Sequence, residues 1–281
     1  MSSDAPLPPL DAGTLRRHAR EIRRLTLTSI HQAQTGHAGP SLSMVEILTL
    51  LYFRHLRYDP RDPRAEWRDR FVLSKGHGAP GLYATLAHAG VISIDELASL
   101  RQLGTRLQGH PNARDLPGVD ASTGSLGQGI SIALGLALGF RMDGRPNRVF
   151  CILGDGELQE GQNWEAAMAA PALAVPNLTA IVDRNGFQSD GPTESIIPLG
   201  DLGTKWRAFG WDVHEVDGHD FHALDAALTA ARTSSVPSVV VAHTVKGKGV
   251  SFMEGVTQWH HHPISDAELA TCLAEIEGSP A

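Results

Sequence analysis

Residues 148–191 read RVFCILGDGELQEGQNWEAAMAAPALAVPNLTAIVDRNGFQSDG. An apolar run over 149–153 stops at Gly154-Asp155-Gly156, residues 163–170 have helix composition, and a second apolar run over 178–182 stops at Asp183-Arg184-Asn185-Gly186. This predicts a strand–loop–helix–strand unit with a polar turn at the carboxyl end of each strand. In a parallel sheet the two turns share one edge, where open α/β sheets bind ligands. Gly154 and Gly156 let the backbone approach a ligand, and N–H groups near a helix start suit an anion. Asp155 and the Asn185 amide oxygen are hard ligands, suited to Mg²⁺ or Ca²⁺ shared with diphosphate oxygens. The 28 residues between Gly156 and Asn185 leave room for one crossover helix and one strand. A loop aspartate and a turn asparagine without metal is the bland alternative, and spacing and strand context together disfavour it.

Outward from that unit the same alternation continues. Strands are expected over 71–73, 211–216 and 238–243. Helices are expected over 15–33, 41–53, 79–89, 199–209 and 221–233, with a glycine- and alanine-rich one ending at Phe140. Two capping boxes, Ser93 with Glu96 and Ser265 with Glu268, open a helix to about Leu103 and a last helix to about Glu277. The uncharged stretch 121–140 holds Ser, Thr, Gln and five glycines, a poor membrane span, and reads as a buried, tightly packed helix. Strands alternating with helices predict an α/β fold, a parallel β-sheet flanked by helices on both faces. With no repeat or internal linker, residues 11–281 are expected to form a single domain behind a Pro-rich, flexible leader at 1–10.

Composition narrows the class. A net charge of −7 without any basic cluster argues against a nucleic-acid surface. Two distant cysteines, Cys151 and Cys272, build neither a disulfide framework nor a cysteine zinc site. The amino terminus lacks an apolar h-region, so a cytoplasmic, soluble protein with no membrane contact is expected.

Three histidines share one context. His37, His77 and His110 are each flanked by glycine, in loops at element boundaries. A lone loop histidine is ordinarily just solvated. Three in this setting point to one convergent site, because imidazole relays protons near neutral pH and donates to oxyanions.

Seven stretches occur in order: TGHAGPSLSM, LSKGHGAPGLYA, QGHPN, STGSLGQGIS, LGDGELQEGQNWEAAM, VDRNGFQSDGPT and TVKGKGVSFME. On these the chain resembles the N-terminal, diphosphate-binding region of transketolase over residues 14–265, and most closely the separate N-terminal subunit of two-component transketolases. The resemblance implies a thiamine diphosphate-binding fold with Mg²⁺, or Ca²⁺ or Mn²⁺ in its place. It implies Asp155 and Asn185 as side-chain metal ligands and the Phe187 carbonyl as a third. His77 and Gly156 would lie against the diphosphate with Gly154 beside them, Gly124 and Leu126 against the aminopyrimidine, and Lys246 near the diphosphate. His37, His77, His110 and, of the run His260-His261-His262, His260 would face the substrate. Glu160 would belong to a proton relay between paired active sites. Arg184 and Asn112 stand where relatives often carry other residues.

Thiamine catalysis in this family also uses a glutamate on a pyrimidine-binding domain that follows the present region, and the chain ends at Ala281. The expectation is therefore a polypeptide active only with a separate C-terminal subunit, as a heterotetramer, moving a two-carbon ketol unit from a ketose, phosphorylated in the first instance, to an aldose. The α subunit of a 2-oxoacid dehydrogenase E1 shares GDG…N but not the SKGHG, GHP and TGSLGQG set. A non-catalytic scaffold is the other alternative, disfavoured by intact Asp155, Asn185, Glu160 and His77.

Overall fold

The computed structural model describes residue 7 and residues 9–278. Most of the expected leader at 1–10 lies outside them. The chain runs α1 (Ala12–Ala33), α2 (Ala38–Leu42), α3 (Val45–Leu50), β1 (Arg70–Leu73), α4 (Ala79–His88) and α5 (Gln128–Met142). It continues β2 (Val149–Gly154), α6 (Gly161–Ala172), β3 (Leu178–Arg184), α7 (Thr193–Ile196), α8 (Leu202–Ala208), β4 (Asp212–Asp217), α9 (Phe221–Ala231), β5 (Ser238–His243) and α10 (Asp266–Gly278).

The five strands form one all-parallel sheet in the order β1-β2-β3-β5-β4. Alternation along β2 shows why both faces are covered. Phe150 and Ile152 join a core with α1, α3, α4, α9 and α10, while Val149, Cys151 and Leu153 join a second core with α5, α6 and α8. Strands buried on both faces need apolar residues at every position, which is what the runs in β2, β3 and β5 supply. Among the described residues no helix is long and apolar enough to cross a membrane.

Three local expectations fail for identifiable reasons. The helix expected over 41–53 is broken at Ser43-Met44, then continues as α3 and a wide turn over Leu51–His55. Ser43 Oγ is directed into the core, 2.6 Å from Asp183 Oδ2, a tertiary contact that helix propensity does not contain. The first capping box does not form: Ser93 accepts from Asp95 N at 3.3 Å, and Arg106 takes Glu96 at 2.5 and 2.9 Å, leaving a short 3₁₀ segment, Ile94–Ser99. The second box does form, with Ser265 N and Glu268 N each bonded to the other residue's side chain. Finally, α5 is buried on one side only; Ile132 and Met142 face outward, 38% and 76% exposed.

Because all strands are parallel, the turns after β1, β2, β3 and β5 gather on one sheet edge. Strand order reverses beyond β3, and that edge carries the cleft described next.

Candidate active site

The turn after β2 begins at Asp155, which is buried and held from three sides. Its Oδ1 accepts from Gly156 N at 2.8 Å, and its Oδ2 accepts from Gly186 N at 2.6 Å and from Arg184 Nη1 at 3.1 Å. Burial raises the Asp155 pKa and nearby Asp183 adds to this, against the two N–H donors and Arg184. The turn after β3 supplies Asn185, whose Nδ2 donates to Asp183 Oδ2 at 3.2 Å and whose Oδ1 accepts from Phe187 N at 3.1 Å.

Behind Asn185 lies a buried polar network. Asp183 is fully buried and accepts from Lys75 Nζ, Thr244 Oγ1, Ser43 Oγ and Asn185 Nδ2. Burial alone would raise its pKa, but the Lys75 ammonium and the hydroxyl donors outweigh burial and lower it. Lys75, itself 1% exposed, also donates to Pro40 O at 2.9 Å. Glu157 stitches the turns together: its Oε1 accepts from Ser74 Oγ at 2.5 Å and Gly127 N at 2.8 Å, and its Oε2 from Gly154 N at 2.9 Å.

In front of these groups is a cleft of about 290 Å³, lined by His37, His77, Gly124, Leu126, Gly154, Asp155, Gly156, Glu160, Asn185, Phe187 and His260 among others. Two of its glycines are close-approach points. A Cβ on Gly156 would come within 2.8 Å of Gln188 Cβ, and one on Gly124 (φ 146°) within 3.0 Å of the His110 ring. The predicted residues are thus brought together, with two just outside the wall. Lys246 sits behind it, donating to Gln188 O at 3.1 Å with His260 Nδ1 also at 3.1 Å. His110 lies further out and exposed, its ring 6.5 Å from that of His37.

The histidines do converge in space. Ring centroids are 5.3 Å apart for His37–His77, 5.1 Å for His77–His260 and 5.4 Å for His37–His260. Of the three consecutive histidines only His260 lines the cleft. His261 packs edge-on against His37 at 4.6 Å, and His262 turns to Trp259 at 5.0 Å. Burial, then charged neighbours, lowers the pKa of His37 and His260 to about 3 and that of His77 well below its ordinary value. Lys246 is lowered to about 8 by burial and by Lys75. At neutral pH the wall is therefore a set of uncharged imidazoles, suited to hydrogen bonding with hydroxyl and carbonyl oxygens.

Among the described residues no group of three His, Cys, Asp or Glu side chains could hold a metal by itself. One carboxylate and one amide oxygen form an incomplete set, which fits a hard cation completed by backbone and diphosphate oxygens. Gln188 Oε1 and His37 Nδ1, buried without a hydrogen-bond partner, add orphaned polar atoms at the same cleft.

The domain described as "Transketolase, thiamine diphosphate binding domain" matches residues 15–278. The chain belongs to the transketolase family as its thiamine diphosphate-binding domain. It is similar to the 6-deoxy-6-sulfo-D-fructose transketolase subunit SqwG of a Clostridium species, 46% identical over 94% of this chain and 96% of that protein. One subunit of the apulose-4-phosphate transketolase of Actinobacillus succinogenes is 41% identical, with the same two coverages. The solved transketolase of Campylobacter jejuni superposes with a TM-score of 0.91 at 30% identity, covering 95% of this chain and 43% of its own. The chain thus spans about two fifths of that transketolase and nearly the full length of the two subunits.

Sequence reading missed three members of the buried polar network around the cleft, Lys75, Asp183 and Glu157. Each lies within two residues of a motif residue already singled out, His77, Asn185 and Asp155 respectively. A charged residue that close to a strand's carboxyl end was the available signal. Its burial and its partners become evident only once β1, β2, β3 and β5 are side by side.

Proposed function

We propose that this chain is the N-terminal, cofactor-binding subunit of a two-subunit transketolase, moving a two-carbon ketol unit from a ketose to an aldose. The observation that carries the reading is the meeting of Asp155 and Asn185 with the uncharged His37, His77 and His260 in one cleft. Metal-ligating oxygens at one end and neutral hydrogen-bonding rings at the other suit a diphosphate cofactor and a polyhydroxylated substrate. Thiamine diphosphate, when bound, supplies the chemistry that cleaves the carbon–carbon bond beside a ketose carbonyl.

The chain's own residues would act around it. Asp155, Asn185 and the Phe187 carbonyl would hold Mg²⁺, with Ca²⁺ or Mn²⁺ able to replace it. Gly154, Gly156 and His77 would receive the diphosphate, Lys246 would add positive charge nearby, and Gly124 and Leu126 would contact the aminopyrimidine. His37, His77, His110 and His260 would hydrogen-bond substrate oxygens and move protons there. Glu160 lines the cleft, is exposed, and its carboxylate makes no hydrogen bond or ion pair among the described residues. That leaves the carboxylate open to a proton relay reaching a second active site.

The need for a separate C-terminal subunit rests on the relatives named as subunits and matched over 96% of their length. Two copies of each chain are the proposed assembly. Both relatives are named for sugars with an anionic group, a sulfonate or a phosphate, and a sugar of that class is the proposed donor here.

The test is a thiamine diphosphate titration of the mixed subunits with and without Mg²⁺, followed by product analysis with phosphorylated and sulfonated ketoses. Metal-dependent binding and ketol transfer are expected. Binding followed by 2-oxoacid decarboxylation, without ketol transfer, would favour the 2-oxoacid dehydrogenase reading, and no binding would favour a scaffold.

A further inference from the structure

Two side chains of one loop meet a single histidine from the far end of the chain. The loop joins α1 to α2 and carries Thr35 and His37. His261 reaches both. Its Nε2 lies 3.2 Å from Thr35 Oγ1, and its ring packs edge-on against the His37 ring, with centroids 4.6 Å apart and planes at 63°. His261 is the nearest of the four imidazoles around His37; His77, His260 and His110 follow at 5.3, 5.4 and 6.5 Å.

An imidazole that works in a site is ordinarily held by a hydrogen bond to its second nitrogen, which fixes tautomer and ring orientation together. Other histidines of this chain are held that way. His219 Nδ1 is 3.0 Å from Glu46 Oε2 while its Nε2 accepts from Val245 N at 2.8 Å, and His55 Nε2 is 2.8 Å from Asp225 Oδ1. His37 has no such anchor, because its Nδ1 is buried without a hydrogen-bond partner. What remains to orient the ring is the packing around it.

His261 is placed to supply that packing. It is exposed and is not part of the cleft wall, so it meets the site through His37 rather than directly. Its backbone is pinned beside the same end of α1: Gln34 Nε2 donates to Ile264 O at 3.0 Å, and His31 Nε2 lies 2.8 Å from Asp266 Oδ1. A T-shaped ring pair favours one relative orientation, since the positive edge of one ring meets the negative face of the other.

We propose that His261 is a positioning residue: tethered to Thr35, its ring holds the His37 imidazole in the orientation in which it lines the cleft. This inference rests on the transketolase reading above and adds to it a residue that acts through His37.

The experiment measures ketol-transfer rates of the assembled two-subunit enzyme as wild type, His261→Ala, His261→Phe, His37→Asn and the His37→Asn/His261→Ala double variant. A ring pair of this kind shifts the balance between two ring orientations about two- to tenfold, and kcat/KM of His261→Ala should fall by the same factor. Thiamine diphosphate affinity should not change. His261→Phe keeps the ring without its nitrogens and should restore most of the rate. In the His37→Asn background the alanine substitution should cost nothing further, because the two residues act as one unit. A second measurement does not use activity. In the full chain the imidazole NMR signal of His37, identified by its loss in His37→Asn, should shift and broaden in His261→Ala and stay sharp in His261→Phe.

Equal costs of His261→Ala with and without His37 would overturn the proposal, as would a His37 signal that the alanine leaves unmoved. A phenylalanine variant as slow as the alanine one would overturn it too, assigning the role to a His261 nitrogen acting on the substrate itself. A wild-type complex without ketol transfer would instead contradict the transketolase reading, while the His37 signal would still report on the contact.

Discussion

Arg184 Nη1 lies 3.1 Å from Asp155 Oδ2, and its other terminal nitrogen lies 2.5 Å from Glu194 Oε1. An arginine is thus paired with the carboxylate proposed to bind the metal. The two N–H groups of Gly156 and Gly186 hold Asp155 independently, so its orientation does not depend on Arg184. What Arg184 adds is a positive charge that opposes a cation. Arg184→Gln is expected to tighten Mn²⁺ binding on the order of tenfold, about 1.4 kcal/mol for charges of +2 and +1 some ~6 Å apart at water-like dielectric. Calorimetric Mn²⁺ titration of the full chain reads this directly; weaker binding in the variant would show that Arg184 orients Asp155 after all.

Asp155→Asn and Asn185→Ala each remove one of the two side-chain ligands. Thiamine diphosphate binding to the mixed subunits should lose its Mg²⁺ dependence, with apparent affinity falling on the order of a hundredfold. Asp155→Asn removes a carboxylate disfavoured by burial and by Asp183 but sets an amide NH₂ against a backbone N–H of Gly156 or Gly186, so a modest fall in its melting midpoint is expected. A cofactor titration at fixed Mg²⁺, alongside a thermal melt, separates a lost ligand from a lost fold.

Lys75 and Asp183 make a buried pair whose partial loss is costly. Lys75→Met would leave the Asp183 carboxylate without its cation in a site 0% exposed, a change that costs about 3–5 kcal/mol in comparable pairs. Urea unfolding should show a midpoint well below that of wild type. Replacing both residues by apolar ones of similar size should not recover the loss, because Ser43, Thr244 and Asn185 would also lose their acceptor. A single variant within about 0.5 kcal/mol of wild type would contradict the account.

The pH dependence has a definite sign. His37 and His260 are lowered to about 3 when folded, against about 6.5 when unfolded. Between those values the unfolded chain binds protons that the folded chain does not. The stability these rings contribute is complete above pH 6.5 and falls as the pH drops toward 3, by up to about 1.4 kcal/mol per unit for each ring. Unfolding midpoints at pH 7.5, 6.5 and 5.5 should be level across the first interval and fall across the second, and His37→Asn should flatten that fall. A stability profile that stays level down to pH 5 would contradict the burial of these rings.

The sheet was legible because strands buried on both faces must be apolar throughout, and the runs at 149–153, 178–182 and 238–243 are just that. The ends of those runs also exposed Asp155 and Asn185, since a polar turn after a buried strand has few reasons to carry hard ligands. Elements decided by distant partners were not legible in the same way. Ser43 breaks a helix for a hydrogen bond to Asp183, and Glu96 leaves its capping box for Arg106. Both are competitions between a local and a tertiary partner, and sequence shows only the local one. Lys75 gains its partners only once Asp183 and Pro40 close around it, and the histidines meet Asp155 and Asn185 in one cleft only once the turns share an edge.

The most direct measurement is ketol transfer by this chain alone and by this chain mixed with its C-terminal partner subunit. Both arms contain thiamine diphosphate and Mg²⁺, with phosphorylated and sulfonated ketoses as donors and an aldose phosphate as acceptor. Transfer in the mixture and none from this chain alone is the predicted result. Transfer by this chain alone would contradict the claim that the cleft between Asp155 and His110 is one half of an active site.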